Sequence, residues 1–437
     1  MNFRAMARVH FAALASVFAM YAAARAQVPS APLATPIPAH PIAAAAPESS
    51  ALKPGTIITG ANASQFAQIL PQAAIFALAH GFRIEVTPSR SLKWSAGYQN
   101  ATEKYSPQAA LDANDHLINY VAGMPFPLID LADPKAAVKI AYNWHMGPVM
   151  PDDFSLAPWS SNGYRADPAN PAQITAMSDG DYQCDHFTFL RFAHRTEVEP
   201  RPTLGANPMG AEWKARCDDW SVTALGAENG EGKGIWVRYL DPATDDAFFN
   251  FDEMSRRVRQ VAVGAGAPGP ACRNCHQPYW AYALPKTEDY EYRILGTTTI
   301  LACLSAASEP AGITSSGDGY SLSEEPFELR HAYILETRPK FGNQTLSTIV
   351  YIDSEVYVWL AAQFYSAGVE TASAIPLWQM KPGREGGNLF DLAGSFYVPA
   401  GGGSFFRSLV PAHQQFQQEI NTGNLSEAAF VPATLSR

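Results

Sequence analysis

Charge is scarce in this chain: Asp, Glu, Lys and Arg make up 16% of its 437 residues, against 47% apolar ones. Apolar surface is plentiful and its charged covering thin, which favours a protein with a second apolar face to fill. Basic charge is scarcer still. The net charge of −10 argues against nucleic acid, since phosphate binding needs a basic stripe that releases counterions. The one basic cluster, Arg256, Arg257 and Arg259, is too small to overturn this. Beyond the N-terminus no apolar run is long or charge-free enough to cross a bilayer, which takes roughly 20 residues. Gly-x-Ser-x-Gly elbows, His-Glu-x-x-His pairs and phosphate-binding loops are missing, and no internal repeat is visible. Cysteines are few and odd in number, with 5 in all.

What is present starts at the N-terminus. Arg4 and Arg8 precede an apolar run from His10 to Ala24, which ends in Ala24-Arg25-Ala26. A positive end, a short apolar middle and small residues before the cut predict a cleavable secretory signal over residues 1–26, with a mature start at Gln27. The run is too short for a membrane anchor, and no Cys follows the cut to take a lipid. The expected location is the periplasm, where disulfides persist. Residues 27–54 are Ala, Pro and Ser with almost no charge, a disordered arm that cannot build a core. Residues 55–437 read as one large domain.

Helical spacing covers Ala61 to His80 through Phe66, Ile69, Leu70, Ala74, Phe76 and Ala77, with Asn62 as start and Gly81 as stop. A second helix is predicted over Ser106 to Val121, capped by Ser106 with Pro107 in first position, and a third over Lys135 to Trp144. From about residue 180 the pattern changes to period two. Strands are expected at His186 to Thr196 and at Gly234 to Leu240, the latter with Ile235, Val237 and Tyr239 on one face and Trp236, Arg238 and Leu240 on the other. Others follow at Glu328 to Thr337, Leu346 to Ile352, Val356 to Phe364 and Leu389 to Val398, with turns at Asp353-Ser-Glu and Ser366-Ala-Gly. Strands in succession without helices between them predict an antiparallel meander. A Gly-, Ala- and Pro-rich segment, Gln260 to Pro285, interrupts it.

That segment holds the sharpest motif, Cys272-Arg-Asn-Cys275-His276, whose spacing attaches c-type haem: two thiols add to vinyl groups and the adjacent His ligates iron. A local Cys272–Cys275 disulfide, or a metal half-site lacking its fourth ligand, would give the same letters. Cys184 and Cys217 are the best disulfide pair, each beside a predicted strand, and Cys303 reads as a small buried hydrophobe. Gly264 to Gly269 matches the letters of a dinucleotide loop but opens no helix, so it reads as a flexible loop. Asp218-Asp219, Asp245-Asp246 and Glu324-Glu325 read as solvated turns, because chain neighbours point apart in a strand. His331 lies on a strand without a nucleophile beside it. Arg256, Arg257 and Arg259 read either as a rim that neutralises nearby Asp or as a guanidinium fork for a carboxylate or lipid phosphate. No catalytic residue and no metal site is expected.

With these residues in hand, the chain resembles a family of exported bacterial proteins, a domain of unknown function labelled outer-membrane lipoprotein-sorting, whose fold is related to the carriers LolA and LolB. The marks run from about residue 60 to the C-terminus. They are Gly123-Met-Pro-Phe-Pro127 before a helix ending Asn143-Trp144, the Arg256-Arg257-Val-Arg259 element, Tyr290 to Gly296, the strand Leu329 to Lys340, Val350 to Asp353 with its hairpin to Gly368, and Asn424 to Leu435. The Cys272 to His276 motif departs from the family pattern. The resemblance implies an α+β, mainly antiparallel fold: a strongly curved half-barrel sheet whose concave face is covered by helices around an apolar cavity. The expected function is a periplasmic carrier or binding protein for a lipid or other hydrophobic molecule, in envelope lipid or lipoprotein trafficking, and not an enzyme. Trp236, Tyr239, Phe248 and Tyr292 are the candidate wall, with Arg256, Arg257 and Arg259 orienting an anionic end. An envelope transporter or outer-membrane component is the partner class implied. No cofactor is expected on this reading. The competing class is a periplasmic redox protein with haem c at Cys272, Cys275 and His276.

Overall fold

The computed structural model describes residues 52–147, 152–156, 159–166, 173–191, 211–223, 230–239, 244–252, 255–262, 286–308, 311–316, 319–340, 343–382, 386–400, 405–411, 419–420 and 427–436. The expected signal, nearly all of the expected arm and the Cys272 to His276 motif lie outside them. The described residues are mainly β. Among them no helix is long and apolar enough to cross a membrane.

The N-terminal part carries strand β1 (Ile57–Ile58), a 3-10 turn (Ala63–Phe66), helix α1 (Gln72–Ala79), strand β2 (Arg83–Val86) and helix α2 (Ala96–Tyr105). A small hairpin of β3 (Ala110–Leu111) and β4 (Leu117–Ile118) and then helix α3 (Ala136–Met146) follow. Two of the three expected helices change. The helix over Ala61 to His80 is divided, because Pro71 has no N–H to continue the turn and biases the residue before it away from helix. Pro71 instead flanks the start of α1. Asn62 does not cap forward: its Oδ1 accepts the Thr59 N–H at 2.7 Å. The helix over Ser106 to Val121 is absent. Its first residues form a 3-10 turn, Ser106–Gln108, and Asp112 Oδ1 then accepts the N–H of Asn114 and of His116, each at 2.8 Å. That local turn offers the backbone an alternative to helix. The helix that forms, α2, is capped by Ser95, whose Oγ accepts the Tyr98 N–H. The third expectation holds as α3.

The strands that follow are β5 (Asp153–Leu156), β6 (Trp159–Ala166), β7 (Ile174–Arg191), β8 (Ala211–Thr223), β9 (Gly230–Tyr239), β10 (Ala247–Asp252), β11 (Arg257–Ala262), β12 (Tyr290–Ala302), β13 (Ile313–Ser316) and β14 (Gly319–Leu322). After them come β15 (Glu324–Pro339), β16 (Leu346–Asp353), β17 (Trp359–Ser366), β18 (Val369–Pro382), β19 (Asn388–Pro399), β20 (Phe405–Pro411) and β21 (Glu419–Ile420). One antiparallel ladder runs β11-β10-β9-β8-β7-β6-β20-β19-β18-β17-β16-β15-β12. The expected meander is therefore present, and its strands start near residue 153 rather than 180. Among the described residues β2 departs from it by pairing in parallel with the first residues of β15, and an isolated parallel bridge joins Cys303 to Leu377. Ala367 (φ 50°) and Gly368 (φ 79°) form the two-residue turn joining β17 to β18, where positive φ at both positions matches the strand twist.

Helix α1 packs on β18 and β19, and α3 on β12. Ala74, Ala77 and Leu78 of α1 and Ile140 and Ala141 of α3 share one continuous core with Trp359, Trp378 and Phe396. Each large apolar side chain buried there contributes about 1.5–3 kcal/mol. The Gly123-Met-Pro-Phe-Pro127 segment is clamped between α2 and α3. The Met124 N–H donates to Thr102 Oγ1 at 2.8 Å, and Asn143 both accepts from the Phe126 N–H and donates to its carbonyl. Gly123 (φ 79°) has no alternative, since a Cβ would lie 2.4 Å from the Thr102 nitrogen.

The scarce charges are used inside. Arg330, 5% exposed, donates to both oxygens of the fully buried Asp353 at 2.7 and 3.2 Å, and also meets Glu328 and Glu355. Burial alone would lower the Arg330 pKa, but the Asp353 hydrogen bond and charge outweigh it and hold the guanidinium protonated. Asp353 also accepts the N–H groups of Glu355 and Val356, which shapes the turn between β16 and β17. Glu325 corrects an expectation: it lies in no solvated turn but is fully buried, accepting from the backbone of Ala307, Ser308 and Gly312. Glu324 beside it stays outside, paired with Arg83. Replacing Asp353 by Ala leaves Arg330 buried without its main partner. Urea unfolding of Asp353→Ala is expected to show a loss of about 3–5 kcal/mol, whereas Glu355→Gln, at the exposed end of the cluster, should cost about 1 kcal/mol or less.

Candidate functional site

Strands β8 to β11 sort their side chains onto two faces, and the C-terminal turns pack on one of them. Ile235 and Val237 of β9 and Ala247 and Phe251 of β10 pack against Phe430 and Leu435, from the C-terminal 3-10 turns Glu427–Phe430 and Pro432–Ser436. Arg216 on β8 fastens those turns. Its Nη1 donates to the Ala429 carbonyl at 2.7 Å and to Thr434 Oγ1 at 2.6 Å, while Asp218 balances its charge at 2.7 Å.

The other face is the candidate site. Trp236 lies directly opposite Phe248, and the two rings stack with centroids 4.9 Å apart and planes 28° from parallel. Gly234, the next same-face position on β9, makes room for them, because a Cβ there would come within 2.8 Å of the Phe248 ring. Trp213, Ala215 and Cys217 of β8 share this face, opposite Arg238, Trp236 and Gly234. Phe248 and Ala215 are buried and Trp236 is half-buried. Arg238 is 7% exposed. Its Nε donates to Asp246 Oδ2 at 3.0 Å and its guanidinium lies 5.3 Å from the Trp213 ring centroid, a cation–π distance. Lys286 approaches the same Asp246 carboxylate at 3.6 Å. Towards β11 the face becomes polar: Asn250 lies opposite Arg259, and Asp252 opposite Arg257.

The structure thus brings together Trp236, Phe248, Arg257 and Arg259. Arg257 and Arg259 are exposed, and Arg259 meets Asp252 at 3.0 Å. Arg256 sits in the turn between β10 and β11 at φ 50°. Tyr239 belongs to the reverse face, as the alternation predicted, and packs beside the C-terminal turns. Tyr292 is on β12 at the margin of the main core, where burial, with Tyr290 and Glu288 nearby, pushes its hydroxyl pKa far up. His331 is exposed, with Nδ1 3.1 Å from Thr299 Oγ1. Asp246 is another correction: it holds two cations at a partly buried site instead of facing solvent in a turn. Sequence reasoning missed Arg238, Trp213 and Asn250. The available signal was a charge placed between Val237 and Tyr239 in an otherwise apolar strand.

A family model described as a protein of unknown function, DUF1329, matches residues 57–368. The chain belongs to this family. The DUF1329 match runs from β1 to the turn between β17 and β18, so it contains the whole Trp236 face but not the C-terminal turns that seal the reverse. Among solved structures the chain is similar to a domain assigned provisionally to outer membrane lipoprotein sorting, from Vibrio parahaemolyticus (13% identity, 70% of this chain and 100% of that one, TM-score 0.41). It is also similar to a DUF1329 family protein from Desulfovibrio piger ATCC 29098 (13% identity, 68% and 96%, TM-score 0.40) and to a LolA superfamily protein from Nitrosomonas europaea (11% identity, 65% and 92%, TM-score 0.33). No curated protein matches it.

Among the cysteines of this DUF1329 chain, Cys303 is free and buried. Burial first, then the nearby Glu325 charge, pushes its thiol pKa well above the usual value, which leaves it unreactive. Cys217 is disulfide-bonded. Its expected partner, Cys184, lies on the adjacent strand β7 but opposite Trp220, whereas Cys217 is opposite Phe187; three strand residues put the two on the order of 10 Å apart, beyond the reach of a disulfide, so the expected pairing does not fit this register. Cys272, Cys275, His276 and the loop Gly264 to Gly269 are outside the described residues entirely. Peptide mapping without reduction is expected to recover Cys217 linked to a cysteine other than Cys184, and an alkylatable Cys303 after unfolding. A Cys184–Cys217 link would overturn the register of β7 against β8.

Proposed function

We propose that this protein binds and carries a lipid or other hydrophobic molecule in the periplasm and catalyses no reaction. The observation that carries this is the half-buried Trp236 stacked on Phe248, on a sheet face that passes from aromatic to guanidinium over three strands. An acyl chain or ring system laid on those rings loses water contact worth about 25 cal/mol per square ångström. Arg257 and Arg259 at the rim suit an anionic end through planar, bidentate bonding. The architecture that goes with this is a sheet bent into a half-barrel with helices over its inner face. Its support is that α1 packs on β18 and β19 and α3 on β12 within one shared core. Secretion through the N-terminal signal and delivery to an envelope transporter or outer-membrane component belong to the same proposal.

Delipidated protein is expected to take up a fatty acid, phospholipid or sterol probe in a fluorescence titration. Trp236→Ala should weaken that uptake by roughly tenfold, the size of one aromatic contact, with little change in unfolding midpoint. No uptake of any of the three probes would refute carriage. The Cys272-Arg-Asn-Cys275-His276 spacing carries the second proposal, covalent c-type haem. A haemochrome spectrum of protein expressed with export and haem attachment decides it: absorbance at the c-type position supports haem, and its absence removes the redox function.

A further inference from the structure

The loop that leads into α3 is ordered, yet it turns apolar side chains outward. Between Pro127 and Pro134 the exposed residues are Pro127, Leu128, Asp130, Leu131, Ala132 and Pro134, with Leu128 89% and Leu131 49% exposed. Scattered apolar residues are normal on a protein surface, but here they form a run held in one shape. Ile129 turns inward and packs on the cluster of Tyr120, Phe126, Tyr142 and Met146. Asp130 accepts the Ala132 N–H on Oδ1 at 2.9 Å and the Asp133 N–H on its carbonyl at 3.1 Å. Asp133 repeats the pattern, accepting the Lys135 N–H on Oδ1 at 2.8 Å and the Ala136 N–H on its carbonyl at 2.9 Å. The two leucines are therefore presented on a loop that needs no ordering on contact, a step at which binding otherwise loses free energy.

We propose that this loop docks the protein on a lipid bilayer, with Leu128 and Leu131 entering the acyl boundary and Asp130 staying among the head groups. Three features select a bilayer over a protein. The loop is aliphatic, with no Trp, Tyr or Arg, whereas those residues dominate protein contacts and leucine is under-represented there. Its backbone donors are largely matched from within: the N–H groups of Ala132, Asp133, Lys135 and Ala136 have the acceptors named above, and Pro127 and Pro134 carry none. That matters in a layer where unmatched backbone groups are costly. Its neighbouring cations are already paired, Lys135 with Asp115 at 2.8 Å and Lys139 with Asp133 at 2.5 Å. With a net charge of −10, the chain as a whole is repelled by anionic lipid, so the contact is hydrophobic and favours neutral head groups. The docking surface rests on the carriage proposed above for its purpose, since a lipid carrier collects or releases cargo at a bilayer, and not for its chemistry.

Sedimentation of protein purified after export with sucrose-loaded vesicles tests this. Binding to phosphatidylcholine vesicles is expected, weaker by several-fold when half the lipid is phosphatidylglycerol, with that difference lost in high salt. Leu128→Ser should weaken binding to phosphatidylcholine roughly tenfold, the size of one buried leucine, without moving the unfolding midpoint. Val369→Ser, 68% exposed at the turn between β17 and β18, should change nothing. A loop made for a protein partner leaves both kinds of vesicle unbound, and that result overturns the proposal. Binding that appears only with phosphatidylglycerol and disappears in salt also overturns it, as does Leu128→Ser binding like the wild type. The solution titration of fatty acid, which uses no vesicles, keeps the two proposals apart: uptake without vesicle binding leaves carriage and removes docking, and vesicle binding without uptake does the reverse.

Discussion

The two-residue alternation of the β8 to β11 ladder is the constraint on which the candidate site depends. Trp236, Phe248 and Arg238 share a face only because Val237 lies opposite Ala247 and Ile235 opposite Phe249. A slip of one residue would send the stacked rings to the C-terminal turns and the small aliphatics to the other side. The reverse face resists that slip, since Phe430 and Leu435 pack on Ile235 and Val237 and Arg216 fastens the turns that carry them. The C-terminus therefore acts at a distance: it sets the register, and the register presents the aromatics.

Scarcity of charge makes the buried charges more consequential. Arg330 with Asp353, Glu325 with the backbone of 307–312, and Glu336 with Arg293 and Arg338 are matched inside the fold. Buried pairs of this kind add little net stability over apolar packing, but they are costly to break, which favours one arrangement over its alternatives. Arg238 differs from these, because its guanidinium keeps an unmatched donor beside aromatic rings.

Family membership and the site geometry bear on different questions. DUF1329 identifies the chain's relatives without an activity attached, and function resides in sites rather than in folds. The chemistry therefore has to come from side chains: an apolar patch of two rings and an exposed guanidinium rim. They are the groups on which the proposed binding of an amphiphile rests.

Much of the architecture was legible in the sequence, because strand alternation is a local property. The faces of Ile235-Trp236-Val237, the turn at Ala367-Gly368, a helix close to Lys135–Trp144, which runs on to Met146, and the buried Cys303 all followed from residue pattern. Local pattern failed where a competing local interaction won, at Pro71 and at the Asp112 turn, and where burial depended on distant chain. Nothing near Glu325 in sequence reveals that residues 307–312 bring their N–H groups to it, and nothing near Arg238 reveals Asp246 and Lys286 sharing one charge. Sequence alone determined which side chains alternate and how the strands follow one another. Only the tertiary structure decided which face closes and which polar atoms lose their water, because burial is set by what packs on a strand and not by the strand itself.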